Sequence, residues 1–379
     1  MSRRLSGYLG GKDNNYNLIR FMAAALVLYS HSFALVGKGS EEGIRVFTGM
    51  ISGGSLAVDI FFITSGFLIT GSVLSRKSPL AFIWARVMRI YPALIVAMLF
   101  CVCVVGAYFT TFPLPEYFKH SVTWDYFKDN STLLALTKYH LPGVFMENTY
   151  PVAVNGSLWT LPYEVKMYGL VAIISYAMIA LEKKMNCSFI KWVFLAISVT
   201  SLTYTLTRHV TYVAGESYQG PGYRLFAMFF AGAASFYWRE SIRVSHRWFV
   251  LSIAIFALTF SDKAMAYVCF TVFLSYWTFY LAYVPGGVIR RFNKLGDYSY
   301  GMYIYAFPVQ QSVAALIPNV SVWQMIGIAF VVTMALSILS WHFVEKKCLR
   351  MKGGYLYLER VLAKVKERFS SRDKPEKIA

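Results

Sequence analysis

Apolar stretches close to the length of a membrane span recur along the whole chain and are separated by short polar segments. A helix of roughly 20 residues rises about 30 Å, which matches the hydrocarbon core of a bilayer. In lipid the backbone must satisfy its own hydrogen bonds, and this favours helices. The pattern therefore predicts an all-α polytopic membrane protein with about ten transmembrane helices, near 17–37, 55–75, 82–108, 155–181, 190–208, 222–238, 247–261, 264–284, 296–316 and 322–343.

Basic residues gather in alternate connections between these stretches. They lie in the N-terminal segment, around Arg76, Lys183, Arg239 and Arg290, and in the tail after Lys346. By the positive-inside rule these connections are cytoplasmic, so both termini are expected in the cytoplasm. The N-terminal sequence MSRRLSGYLGGKDNN has no small-residue cleavage site after an apolar core. We therefore expect the first helix to stay in the mature protein.

Composition excludes a string of soluble domains. The 379 residues are 57% hydrophobic and only 15% charged, with a mean hydropathy of +0.48. The net charge of +18 could suggest nucleic acid, but membrane topology already explains where the basic residues lie, so no nucleic-acid partner is predicted. The five cysteines show neither metal-ligand spacing nor a disulfide framework, and no metal is predicted. Nothing in the pattern indicates the oligomeric state.

Two units are expected. Residues 1–345 would form the ten-helix transmembrane domain, and residues 346–379 a basic cytoplasmic tail. Within the tail, YLYLERVLAKVKERF places Leu358, Leu362, Val365 and Phe369 on one helical face among Lys and Arg. Such a basic amphipathic helix is typical of a segment that lies on a membrane surface.

The first predicted helix carries two ionisable residues, Arg20 and His31. Eleven residues of helix bring both side chains to one face within about 20° and place them about 16 Å apart along the axis. Ionisable groups inside a membrane are costly and often mark a site. An imidazole titrates near neutrality, which suits it to accept a proton or act as a nucleophile. Taken singly, Arg20 could be an interfacial anchor and His31 a hydrogen-bonded packing residue.

Further charged residues could belong to the same site. Arg86 and Arg89 share a helix face at the start of the third span and could converge on a phosphate-bearing ligand, although the positive-inside rule alone would also place them there. Asp59 in the second span and Glu164 at the outer start of the fourth are expensive buried acids. Either could orient the His31 imidazole, as a third group orients the base in other enzymes.

Aromatic residues mark the predicted outer side. The connection 108–154 is about 45 residues long without a strong element of its own, which is typical of a functional or disordered loop. It contains Trp124 and Tyr126, and Trp159 follows in SLWTLPYE at the outer start of the fourth span. Such rings can stack on sugar faces or anchor at the membrane interface. These three residues are the candidates for contact with an acceptor.

Taken in order, several motifs resemble those of a known family. They are Arg20 and His31 with ten residues between them, FFITSGFLIT, Arg86-x-x-Arg89-x-Tyr91-Pro92, SLWTLPYE and GDYSYGMYIY. Over about residues 14–346 the chain resembles the membrane-bound acyltransferases of the acyltransferase-3 type, which O-acylate bacterial surface glycans.

The resemblance implies a ten-helix core in the bacterial cytoplasmic (inner) membrane. Such a core takes an acyl group, usually acetyl, from cytoplasmic acetyl-CoA as donor substrate and delivers it to a hydroxyl on the outer side. The implied acceptor is a surface or periplasmic glycan such as lipopolysaccharide O-antigen, free or lipid-linked. The implied partners are this glycan and the membrane lipids.

The family's residues carry over position by position. His31 matches its essential histidine, Arg20 the paired arginine, and Arg86 and Arg89 the arginines that handle the CoA end. Glu164 and Trp159 lie in the fourth-span motif. Two departures stand out. Ala306 occupies a position where many members have a histidine before Phe-Pro, so a ninth-span histidine cannot be required here. The last span ends in WHFVEKK, where a Glu-x-Pro ending is common.

The motifs suggest one mechanism and leave rivals open. Arg86, Arg89 and Arg20 would hold the CoA phosphates, and the pantetheine arm of about 15–20 Å would span the helix rise to His31. His31 would then deprotonate the acceptor hydroxyl or take the acyl group first. One rival is a proton-coupled transporter or flippase of a lipid-linked glycan, with His31, Asp59 and Glu164 as a relay, but the repeats typical of transporters are not found. The other keeps the fold with a succinyl donor or a small-molecule acceptor.

Overall fold

The computed structural model describes residues 3–9, 11, 13–76, 78–213 and 222–361, and these are almost entirely helical. Each predicted apolar stretch coincides with a helix. Within the described ranges ten helices carry the fold: α1 Tyr16–Leu35, α2 Gly53–Ser75, α3 Pro79–Phe100, α4 Leu161–Met185, α5 Ile190–Val213, α6 Gly222–Tyr237, α7 His246–Leu258, α8 Lys263–Tyr283, α9 Ser299–Leu316 and α10 Val322–Ser340.

Shorter elements connect and extend these helices. Strands β1 (Arg3–Arg4) and β2 (Arg243–Val244) pair antiparallel. Short α-helices are Gly43–Thr48, Ala107–Phe109, Leu114–Lys119, Ser121–Thr132 and Lys346–Arg350. The 3₁₀ helices are Leu5–Tyr8, Gly39–Glu41, Gly156–Thr160, Gly287–Lys294 and Met351–Gly354. The π-helical segments are Cys101–Gly106 and Trp341–Glu345. Residues 355–361 are helical, but most of the predicted amphipathic tail lies outside the described residues.

Seven helical segments of the described chain are long and apolar enough to cross a membrane: Tyr16–Leu35, Gly53–Ser75, Pro79–Phe109, Gly156–Met185, Ile190–His209, Lys263–Tyr283 and Val322–Arg350. Helices α6 and α7 have 16 and 13 residues, and α9 includes the polar pair Gln310 and Gln311. The prediction of a helical multi-pass membrane protein is thus confirmed. The number of ten spans and the cytoplasmic position of both termini stay predictions.

Helix α2 lies at the centre of the bundle, and its backbone touches that of α6. A Cβ atom added at Gly66 would lie 1.9 Å from the Phe229 carbonyl oxygen, and one added at Gly232 would lie 2.1 Å from the Ile63 carbonyl oxygen. No real side chain fits at such distances. Glycine at these two positions therefore permits the close crossing, as small residues do in other membrane bundles.

Helix α1 packs between α2 on one side and the pair α9 and α10 on the other. Its side chains therefore point into the bundle over most of its length. Arg20 lies one turn from its N-terminal end and His31 one turn from its C-terminal end. These two levels of the bundle are called below the Arg20 end and the His31 end.

The connection between α3 and α4 is a packed structure, and the expectation of a long segment without elements of its own was wrong. It contains the helices Leu114–Lys119 and Ser121–Thr132. The Tyr117 hydroxyl donates to the Val102 carbonyl (2.9 Å), and the Tyr91 hydroxyl donates to the Thr132 carbonyl (3.1 Å). Because Tyr91 lies near the middle of α3, the second short helix runs back along α3 and does not stand free at its end.

Candidate active site

An ionic network closes the Arg20 end. Arg89 on α3 forms an ion pair with Asp297, and its Nη1 lies 3.3 Å from Glu345 Oε2. Arg20 Nη1 lies 3.9 Å from the same Asp297 carboxylate, which also accepts a hydrogen bond from the Ser299 hydroxyl (2.5 Å). The Glu345 side chain is only 2% exposed. Buried charges need such pairing, because each one unpaired would carry a large desolvation cost.

Arg86 lies one turn before Arg89, and its charge is not compensated in the same way. It makes no ion pair within the described part of the chain, and its Nε atom is buried without a hydrogen-bond partner, as is Nε of Arg20. The guanidinium lies 5.9 Å from the centre of the Phe82 ring. The arginines close enough to act on its charge are Arg20, Arg76 and Arg89. The Arg20 end therefore has arginine donors without a partner, which suit an anionic ligand.

A small cavity of about 30 Å³ continues from Arg20 into the bundle. Glu164 lies in its wall and accepts hydrogen bonds from the Ser65 hydroxyl (3.0 Å) and the Tyr168 hydroxyl. The space is large enough to hold a water molecule. Its lining comes from α1, α2, α9 and the start of α4: Arg20, Val58, Phe61, Phe62, Thr160, Leu161, Glu164, Ser299, Tyr300 and Tyr303.

The His31 end is aromatic. The imidazole of His31 packs edge-to-face on Phe307 of α9, with 5.3 Å between the ring centres. Its Nδ1 atom is buried and has no hydrogen-bond partner, although the residue as a whole is partly exposed. Because α1 is continuous from Arg20 to His31, the two side chains are about 16 Å apart along the helix.

The two predicted acids do not contact His31. The Asp59 carboxylate is fully buried, and its Oδ1 lies 3.0 Å from Nε of Arg224 on α6. Glu164 is bound by Ser65 and Tyr168 near Arg20. Both acids are thus bonded to other partners in this structure, and their role in orienting the imidazole stays a prediction. Any other catalytic role of Asp59 or Glu164 stays a prediction.

The three predicted acceptor contacts lie in different surroundings. Trp124 is 47% exposed, and its indole N–H donates to the Phe118 carbonyl (2.7 Å). Trp159 is partly buried and packs edge-to-face on Tyr163. Tyr126 is fully buried, and burial, followed by the neighbouring Cys101 thiol, raises the pKa of its phenol well above the ordinary value. Tyr126 is therefore a core residue and cannot reach a sugar here.

Sequence reasoning missed the acids that pair with Arg89. Asp297 stood in the GDYSYGMYIY motif, which was interpreted for its aromatic residues, and Glu345 in the WHFVEKK ending. A signal was present, because acids beside apolar spans need cationic partners and Arg89 was available. No group of three or more His, Cys, Asp or Glu side chains that could hold a metal ion is found in the described ranges.

Comparison with known proteins identifies the chain's relatives. The model of the acyltransferase domain of acyltransferase family 3 matches residues 13–342. An "O-acetyl transferase" of Shigella phage Sf6 is 31% identical over 354 residues, which cover 92% of this chain and 99% of that protein. "Nodulation protein 10" of Rhizobium leguminosarum bv. viciae is 25% identical over 359 residues, 90% of this chain and 95% of that protein. No solved structure matches. One helix joins the arginine-rich end of the site to the end that carries His31. The chain belongs to the family of acyltransferase-3 membrane proteins.

Proposed function

We propose that this protein transfers an acetyl group from cytoplasmic acetyl-CoA to a hydroxyl of a surface or periplasmic glycan, across the bacterial inner membrane. The family and the phage relative named an O-acetyl transferase support acyl transfer to oxygen. The positive-inside pattern supports a position of the Arg20 end on the cytoplasmic side of the membrane. Acetyl-CoA is made in the cytoplasm.

One observation carries the proposal: one end of a single helix lies at a cluster of arginines with unpartnered donors, and the other end carries an unpartnered imidazole. The separation of about 16 Å matches the reach of an extended pantetheine arm. The phosphates of CoA can therefore stay at the Arg20 end while the thioester approaches His31. No bulky charged nucleotide has to cross the membrane.

The donor phosphates are assigned to Arg86 and Arg20. Both have a buried Nε atom without a partner, whereas Arg89 is already paired with Asp297 and Glu345. In this assignment Arg89 fixes the middle of α3 and so holds Arg86, one turn before it, in place. This differs from the sequence-based expectation, in which Arg86, Arg89 and Arg20 bind the donor phosphates together.

The pantetheine arm needs more room than the structure offers between the two ends. Phe61 of α2 and Tyr303 of α9 pack edge-to-face, 5.7 Å apart, in the wall of the cavity beside Arg20. Tyr303 is fixed further by Thr160, whose hydroxyl lies 2.6 Å from the tyrosine oxygen. We infer that donor binding moves Phe61 rather than Tyr303, because Tyr303 is held by hydrogen bonds.

At the His31 end the imidazole does the chemistry. As a general base it removes the proton of the acceptor hydroxyl while that oxygen attacks the thioester carbonyl. The carbon–sulfur bond breaks, and the imidazolium returns the proton to the CoA thiolate. In the covalent variant the imidazole nitrogen takes the acyl group, CoA thiol leaves, and the hydroxyl then attacks the acyl-imidazole.

Reconstitution tests the proposal. The purified protein in proteoliposomes receives acetyl-CoA on the Arg20 side and, on the other, the unacylated glycan released by mild acid from a strain that lacks the gene. Mass spectrometry should show acetylated glycan, and an acid quench separates the two routes by the presence of acetyl on the protein. Unchanged glycan with acetyl-CoA would overturn the proposal. Transfer only from succinyl-CoA would overturn the choice of donor.

A further inference from the structure

A second, larger pocket opens at the His31 end of the bundle. Its volume is about 520 Å³, within the range of pockets that hold small ligands. Four separate parts of the chain form it: the end of α1 with the turn that follows, the segment before α4, the end of α9 and the start of α10. The residues used below are Phe33, Leu35, Lys38, Glu41, Thr149 and Trp323.

The wall of this pocket continues the surroundings of His31. Leu35 lies one helical turn beyond His31 on the same face of α1, about 6 Å further along the axis. It packs with Ala153 and Phe307 in one apolar cluster. Phe307 is the ring that contacts His31. Leu35 in the pocket wall and the Phe307 ring against His31 therefore belong to one packed cluster.

Buried amide groups hold the pocket in shape. Gln311 of α9 is fully buried and donates to the carbonyls of Tyr150 (2.8 Å) and Ala153 (2.7 Å). Asn148 donates in turn to the Gln311 side-chain and main-chain oxygens, at 2.9 and 3.0 Å. These bonds fix the segment that carries Thr149. Such a pre-formed site loses little conformational freedom when a ligand binds.

The chemistry of the pocket favours a sugar. Trp323 is 71% exposed, and its ring packs edge-to-face on Phe33, 6.4 Å away. Around this aromatic surface lie the exposed ion pair of Lys38 and Glu41 (3.4 Å) and the side chain of Thr149. An indole accepts the C–H face of a sugar ring, and charged and hydroxyl groups bind its hydroxyls. A lipid tail would leave the polar groups unsatisfied.

We propose that this pocket binds the sugar unit that adjoins the acylated one in the acceptor glycan. The bound unit sets which hydroxyl reaches His31, so the pocket determines the position of acylation. This inference rests on the proposed function and names its acceptor subsite. It moves the expected acceptor contacts from Tyr126, which is buried, to Trp323 and its neighbours.

The test is steady-state acylation of the acid-released, unacylated glycan by the Trp323→Ala protein. The KM for glycan should rise at least about 10-fold, a loss of about 1.4 kcal/mol of binding, while the KM for acetyl-CoA and kcat at saturating glycan stay as in wild type. Trp323→Phe keeps a ring and should show a smaller rise. Trp248→Ala is the matched control, because Trp248 is also exposed (59%) but lies at the start of α7.

An unchanged glycan KM in folded Trp323→Ala protein would overturn the subsite while wild-type acylation still supports the proposed function. Equal losses of yield in Trp323→Ala and Trp248→Ala, with no change of KM, would show membrane anchoring and also overturn it. If Trp323→Ala does not fold, the double variant Lys38→Gln and Glu41→Gln serves instead, with the same rise expected. Failure of the wild-type protein to acylate glycan overturns both proposals.

Discussion

The two ends of α1 stabilise their polar residues in opposite ways. At the Arg20 end, Arg89 is enclosed by Asp297 and Glu345, and Arg20 shares the same aspartate. At the His31 end, the imidazole lies against Phe307 and its Nδ1 has no partner. Ion pairs hold the side chains at the Arg20 end, whereas the His31 end has one unpaired imidazole among aromatic residues.

The difference shows which residues are free to meet a ligand. A buried ion pair resists change, because removal of either partner leaves a charge without compensation. A neutral imidazole without a partner costs far less to bury and keeps its nitrogen available for reaction. The side chains with atoms free to bind a ligand are therefore Arg86 and Arg20 at one end and His31 at the other. Arg89 instead helps to hold the helices together.

The largest expected effect on activity comes from the His31 end. We expect His31→Ala to lower acyl transfer by at least about 10³-fold, since general-base or nucleophilic catalysis is lost. Melting temperature and the Kd for CoA should stay at wild-type values, because no described hydrogen bond is removed. His246→Ala is the control, since that histidine bonds Tyr280 on the distant helix α8 (2.8 Å). Full activity of His31→Ala would remove the proposed chemistry.

At the Arg20 end the largest effect should be on stability. Asp297→Ala leaves Arg89 without its closest partner and Arg20 without any ion pair, which should destabilise the protein by about 3–5 kcal/mol. Denaturant unfolding in detergent measures this loss. The triple variant Asp297→Leu, Arg89→Met and Glu345→Gln removes the three paired charges together and should recover part of the loss, while Arg20 still lacks its aspartate. A triple variant as unstable as Asp297→Ala would show that lost packing, not an uncompensated charge, is the cause.

The smallest of these effects concerns Arg86. Arg86→Ala should weaken CoA binding about 10-fold, as loss of a charge-assisted hydrogen bond does, and leave the unfolding free energy unchanged or slightly higher. Isothermal titration with CoA in detergent measures the first, and thermal unfolding the second. Arg45→Ala serves as control, because Arg45 is exposed at the His31 end. An unchanged Kd together with a clear loss of stability would assign Arg86 to the framework as well.

Much of the fold could be predicted because the length of an apolar stretch in the sequence indicates where a membrane helix forms. Every predicted stretch coincides with a helix, and the eleven-residue spacing of Arg20 and His31 lies within the uninterrupted helix α1. The connection after α3 was predicted wrongly, since its anchoring depends on single bonds such as that of Tyr91 to Thr132. The periodicity of the sequence does not predict such a hydrogen bond.

The partners of the site residues could not be predicted for a similar reason. Sequence spacing shows which side chains lie on one face of a helix. The ion pairs of Asp59 with Arg224 and of Arg89 with Glu345 depend instead on which helices are neighbours. Asp59 was expected to orient His31 because a buried acid often orients a catalytic base. The glycine contact of α2 with α6 places Asp59 beside α6 instead.

That pairing of Asp59 with Arg224 has a consequence for how the protein is made. Helix α2 leaves the ribosome long before α6, and at about 5–20 residues per second the delay is roughly 10–30 s. During this interval its partner Arg224 has not been made, and a charge in lipid without its partner is strongly unfavourable. Helix α2 must therefore wait beside the insertion machinery, or enter as a neutral acid, until α6 arrives. Biogenesis of this enzyme thus depends on the order of synthesis as well as on the final contacts.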